Sequence, residues 1–151
     1  MDNSLKKVGI VGYWYATNYG SVLTYYALGK AIDRMGYETL FVDRPEAWLD
    51  REGLDVISRK FLSSHVQITE PYKWGEIKNL NNLCDTFVVG SDQVWTKDAM
   101  QNMRNMFLLE FADETKRKIA YAPSFGFDDI KLSGSDLNTA SILLHKFNAI
   151  S

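Results

Sequence analysis

The sequence predicts a single α/β domain built on a parallel sheet, and three observations carry that prediction. Strand-like apolar runs near residues 7–12, 38–42, 85–90 and 118–122 alternate with segments of helical periodicity. One run, Asp85-Thr86-Phe87-Val88-Val89-Gly90, is almost continuously apolar, as strands covered on both faces are. The chain has 151 residues, 46% hydrophobic and 24% charged, which suits one ordinary core.

The elements follow in order. Lys7-Val8-Gly9-Ile10-Val11-Gly12 is the first strand, and a loop from Tyr13 to Tyr19 leaves it. Gly20 to Met35 is helical, with Tyr25, Leu28, Ile32 and Met35 on its apolar face and Gly36 as a left-handed cap. Glu38–Val42 is the second strand, closed by Asp43-Arg44-Pro45; strand, helix and strand at this spacing make a βαβ unit with parallel strands. Helices are expected over Leu49–Phe61 and over Tyr72–Leu83, behind Pro71. After the 85–90 strand, Thr96–Met106 is a loop with a short helix, and Phe107–Phe111 is compatible with strand or helix. Lys118–Ala122 is a strand that breaks at Pro123. Ser135–Phe147 is an amphipathic helix burying Ala140, Leu143, Leu144 and Phe147. Phe147–Ser151 begins one more strand, so the expectation is a fragment of a longer α/β protein.

Composition excludes several function classes. Seventeen basic against nineteen acidic residues give a net charge of −2, unlike a chain that grips nucleic acid by general basicity. Cys84 is the sole cysteine, so it forms no internal disulfide or zinc site by itself and reads as a small buried hydrophobe. His65 and His145 stand apart, without partners at ligand or triad spacing, and Asp128-Asp129 reads as a solvated turn rather than a metal pair. No apolar run approaches the roughly 18–20 residues of a membrane helix, so no transmembrane segment is expected. The expected location is the cytoplasm, free or peripheral at the inner face of the membrane. No cofactor is implied either: Gly9 and Gly12 do not make the dinucleotide fingerprint, and Gly29-Lys30 lacks the upstream glycine of a phosphate loop. Asp43, where a ribose carboxylate would sit, keeps a nucleotide reading open beside its reading as a turn-former.

Ligands of open parallel sheets bind outside the carboxyl ends of the strands. Three loops qualify: Tyr13–Ser21, Ser91–Thr96 and Pro123–Asp129. In the first, Asn18-Tyr19-Gly20-Ser21 opens a helix whose free amides hold an anion, or Asn18 or Ser21 is its N-cap. Tyr13, Trp14 and Tyr15 either form a stacking platform for a sugar ring or pack the loop. The second loop, Gly90-Ser91-Asp92-Gln93-Val94-Trp95, sets a carboxylate, an amide and an indole at one mouth, a combination suited to a polyhydroxylated ring. The alternative there is a helix N-cap by Ser91 or Asp92 with Trp95 in the core.

Three blocks in order resemble the polysaccharide pyruvyl transferase family. They are Asn18-Tyr19-Gly20-Ser21-Val22-Leu23 running into Tyr26-Ala27-Leu28, then Val89–Trp95, then Ile119-Ala120-Tyr121-Ala122-Pro123-Ser124-Phe125-Gly126. The resemblance implies a Rossmann-like domain, one half of a GT-B-like architecture, in an enzyme that moves the enolpyruvyl group of phosphoenolpyruvate onto a sugar as a ketal. The family's Ser-x-Arg-x-His type of motif, which belongs to the second domain, does not occur here. Residues 1–151 are therefore expected to be the N-terminal, acceptor-side half, inactive alone. Asp92 is then the candidate catalytic group, with Asn18, Tyr19, Gly20, Ser21, Gly90, Ser91, Gln93 and Trp95 around the substrate. The implied partners are a sugar or glycan acceptor, lipid- or nucleotide-linked, and phosphoenolpyruvate held by the missing domain. A nucleotide-sugar glycosyltransferase of similar fold and a non-catalytic sugar-binding module are the alternatives.

Overall fold

The computed structural model describes residues 6–15, 18–48, 56–127, 130–132 and 134–151. Its one sheet contains β1 (Lys7–Val11), β2 (Glu38–Phe41), β3 (Gln67–Ile68), β4 (Thr86–Gly90), β5 (Arg117–Tyr121) and β6 (Ala149–Ile150). All pairings are parallel and the spatial order is β3-β2-β1-β4-β5-β6, a Rossmann-like α/β arrangement. The helices are α1 (Tyr19–Arg34), α2 (Val56–Ser63), α3 (Lys97–Asn102) and α4 (Gly134–Leu144). Strand order reverses at β1, which pairs with β2 on one edge and β4 on the other.

The apolar runs explain the layers. Ile10, Val11, Phe41, Phe87 and Val89 are fully buried, as strands sandwiched between helices require. Asn18 starts α1 by accepting from the Gly20 and Ser21 amides at 2.9 and 3.4 Å, and Gly36 ends it at φ 88°. The buried side of α1 is Ser21, Val22, Tyr25 and Gly29. Met35, expected on that side, is 71% exposed.

Other expectations need correction. The predicted second helix is α2, its range 49–55 lying outside the described residues. The third is a 3-10 stretch, Trp74–Asn82, rather than an α-helix. Phe107–Phe111 is neither strand nor α-helix: a 3-10 turn, Met106–Leu108, ends at Leu109 in a left-handed conformation (φ 52°). Its side chains plug the core, with Phe107, Leu108 and Leu109 all buried and Phe111 edge-on to Phe87 at 4.9 Å. β3 was not foreseen.

Right-handed crossovers place α1 and α2 over β1–β3 on one face and the later helices on the other. The first face is left open over β4 and β5. Val88 and Ile119 floor a hollow of about 600 Å³ there, rimmed by Met35, Tyr37, Lys116 and Arg117.

β4 pairs with β5 up to Gly90↔Tyr121. Gly90 has φ 123°, and a Cβ there would collide with the Tyr121 carbonyl oxygen. Gly90→Ala should therefore cost about 3 kcal/mol or more in urea denaturation. Gly36→Ala, with open space around it, should cost only about 1–2 kcal/mol. Equal losses would remove the Tyr121 collision as the constraint.

Candidate functional site

The loops after β1, β4 and β5 leave adjacent strands, so they meet at the carboxyl edge, at the point where strand order reverses. The second loop is bracketed by its neighbours. The Asp92 carbonyl accepts from the Val94 and Ser124 amides at 2.8 and 3.0 Å, and the Trp95 amide donates to the Ser124 carbonyl at 3.1 Å. These bonds tie the Gly90–Trp95 segment to the third loop.

The Asp92 side chain is held at both oxygens. Oδ1 accepts from the Gln93 amide at 2.7 Å and Oδ2 from Ser21 Oγ at 2.8 Å. Ser21 comes from the first turn of α1, so this bond joins the first and second loops. Asp92 forms no ion pair among the described residues. Tyr13 stands beside it, half-buried and edge-on to Phe107 at 4.6 Å. Burial first, then the charges of Asp92 and Asp98, push the Tyr13 hydroxyl up to about 12. Tyr25 lies beneath, its hydroxyl filling the space a side chain at Gly12 would need. Burial and then Asp92 push that phenol up as well, and it makes no hydrogen bond of ordinary geometry among the described residues. The site thus presents one carboxylate beside neutral phenols, with Asn18, Tyr19, Gly20 and Gln93 exposed at its mouth. Such a set accepts and donates to hydroxyl groups.

Several expected contributors sit elsewhere. Trp95 is 4% exposed, and its indole N–H donates to the Phe107 carbonyl at 2.9 Å. It is a core residue, not an open sugar platform. Trp14 and Tyr15 are also buried, with Trp14 Nε1 donating to the Val42 carbonyl, so of the three aromatics only Tyr13 borders the site. Neither Ser91 nor Asp92 caps a helix; Thr96 does, accepting from the Ala99 amide at 3.2 Å. The amides of Gly20 and Ser21 that could hold an anion are already donated to Asn18.

Asp43 is neither a ribose ligand nor an exposed turn residue. It is fully buried, paired with Arg59, and accepts from the Arg44 amide at 2.8 Å. His65 stacks on Phe61 and His145 points Nδ1 at the Ser141 carbonyl, each just past the C-terminus of its helix, at the opposite edge of the sheet. Cys84 is buried, its thiol pushed up to about 11 by burial and by Asp85, which makes it an inert hydrophobe. The Asp128-Asp129 pair and Thr17 lie outside the described residues. No group of three or more His, Cys, Asp or Glu suited to a metal occurs among the described residues. No helix among them is long and apolar enough to cross a membrane.

Sequence reasoning missed the Ser21–Asp92 bond, and it named Tyr13 only together with Trp14 and Tyr15. The only sequence trace of the bond is a small hydroxyl residue in the first helical turn.

The family model described as polysaccharide pyruvyl transferase matches residues 18–151. No curated protein and no solved structure matches the chain.

The phenols generate a pH prediction. Tyr13, Tyr15, Tyr25 and Tyr72 are all raised above 10.0, mainly by burial, so each holds its proton more tightly folded than unfolded. The stability they add is whole below pH 10 and is lost as pH climbs through the folded values, for Tyr13 toward about 12. The tyrosinate absorbance contributed by these four should rise only together with loss of near-ultraviolet dichroism. Ionisation of all tyrosines in a still-folded chain would contradict this.

Proposed function

The chain belongs to the polysaccharide pyruvyl transferase family, and on that premise we propose that it is the acceptor-side domain of a phosphoenolpyruvate-dependent ketal transferase. The reaction joins one phosphoenolpyruvate and two hydroxyls of a sugar. A proton added to the donor's methylene carbon leaves an oxocarbenium-like centre, one hydroxyl adds to it, and the second displaces phosphate. One hydroxyl proton ends in the new methyl group and the other on phosphate, so the atoms balance.

The observation that carries the proposal is the Asp92 carboxylate, held by the Gln93 amide and the Ser21 hydroxyl where ligands of such sheets bind. A carboxylate held there is placed to take the proton of an attacking hydroxyl. Tyr13, Tyr19 and Gln93 offer hydrogen-bonding groups to the rest of the ring. The absence of an ion pair at Asp92 among the described residues suits a neutral acceptor. The donor's phosphate and carboxylate call for Arg or Lys, which we assign to a second domain, making this chain the N-terminal half of a GT-B-like enzyme. A nucleotide bound in this domain is disfavoured by Asp43, whose carboxylate is already engaged by Arg59.

In the intact transferase, Asp92→Asn should lower kcat/KM for acceptor-dependent phosphate release by roughly 10²–10⁴-fold, the range for loss of a general base. Unchanged kcat and KM would remove Asp92 from the reaction. Phosphoenolpyruvate, and not a nucleotide sugar, should raise the melting temperature of the intact protein. The reverse result would favour the glycosyltransferase reading, and stabilisation by glycan alone the binding module.

A further inference from the structure

We infer that Ser21 is a positioning residue for Asp92, acting as a hydroxyl rotor that keeps the carboxyl group hydrogen-bonded whether or not it carries a proton. The inference rests on the proposed role of Asp92. Ser21 Oγ lies 2.8 Å from Asp92 Oδ2 and 3.0 Å from the Tyr13 carbonyl oxygen. A serine hydroxyl has one proton and two lone pairs, so it serves only one of these acceptors at a time. That arrangement is over-subscribed while Asp92 is ionised: Ser21 donates to Oδ2 and the Tyr13 carbonyl waits. It becomes complete once Oδ2 takes a proton. The new O–H of Asp92 then turns to donate to Ser21 Oγ, and the Ser21 proton turns to the Tyr13 carbonyl. No covalent bond of Ser21 changes; a rotation about its C–O bond accompanies each proton arrival and departure at Asp92.

Geometry supports this role over direct substrate contact. Ser21 is 7% exposed, set below Asn18, Tyr19 and Gly20, which are exposed at the mouth. The Tyr13 carbonyl belongs to the turn that leaves β1, and Asp92 belongs to the loop that leaves β4. The rotor therefore stands between two adjacent strands and fixes the carboxylate against both. Tyr13 and Tyr25, whose phenols feel the Asp92 charge, are held neutral and supply no competing ion pair. A carboxylate held in one orientation costs less reorganisation when the acceptor's proton arrives.

The test compares Ser21→Ala, Ser21→Thr and Ser21→Val in the intact transferase, alone and with Asp92→Asn. Turnover is read as phosphate released from phosphoenolpyruvate, with the unpyruvylated polysaccharide of a strain lacking the gene as acceptor. Thr and Val have nearly the same shape, so any packing cost is shared and only the hydroxyl differs. Ser21→Ala and Ser21→Val should lower kcat on the order of 10²-fold, the cost of a misplaced catalytic group, with acceptor KM little changed. Ser21→Thr should restore most of the rate. In the Asp92→Asn background the loss at Ser21 should vanish, because the two act as a unit. Equal rates for the Thr and Val variants, or an undiminished Ser21 effect without the Asp92 carboxylate, would overturn the rotor while leaving Asp92 in place. An Asp92→Asn enzyme as active as wild type would instead overturn the reading beneath it.

Discussion

The carboxyl edge of this sheet depends on one position that can hold no side chain. The Tyr121 carbonyl occupies the space where a Cβ of Gly90 would go, and Gly90 adopts φ 123°. β4 can therefore pair with β5 to its last residue and then leave the sheet at once. Because it leaves there, the next residues come under the third loop, where Ser124 takes the Asp92 carbonyl and the Trp95 amide. Trp95 then turns into the core and spends its indole N–H on Phe107. Between these two anchors the Asp92 side chain has little freedom left, and Ser21 closes the remaining gap.

What the sequence made legible was either a period or a bounded apolar run. The stripes of α1 and α4 announce themselves because burial of one helix face spaces the apolar residues, and the runs at β1, β2, β4 and β5 because they are short, apolar and closed by turn residues. Of the two strands too short to show a period, β6 was read within Phe147–Ser151 and β3 was lost. Gln67–Ile68 is two residues long, and its place beside β2 follows from the sheet rather than from its own composition. Phe107–Phe111 was ambiguous for another reason: five residues interrupted only by Glu110 fit either period, and the chain uses them as a plug that turns back through Leu109 in a left-handed conformation.

The site divides along a similar line. That Asp92 and Gln93 stand at a strand's carboxyl end was legible, since it needs only the strand and the glycine before the loop. Whether an aromatic is a ligand face or a core residue was not. Trp14 and Trp95 look exposed in a loop sequence, yet both find backbone carbonyls, Val42 and Phe107, that let the indole N–H be buried. Asp43 fails as a ribose ligand for the same kind of reason, because Arg59 reaches it from α2. Contacts between residues 71 apart in sequence, such as Ser21 with Asp92, leave no local trace.

The central place of β1 has a consequence for how the molecule comes to exist. β1 finds β2 through a short crossover, but its other edge waits for β4, and the Lys7 amide bonds to Asp85 across 78 residues. On a ribosome adding about 5–20 residues per second, that edge stays unpaired for roughly 4–15 seconds after β1 is made. During that interval the first βαβ unit is an open, apolar half-sheet, with the slow, non-local closure typical of parallel pairings still to come. The arrival of β4 ends that exposure and brings Asp92 to Ser21 in one event. A chain that has not yet added β4 to its sheet lacks the bond between Ser21 and Asp92.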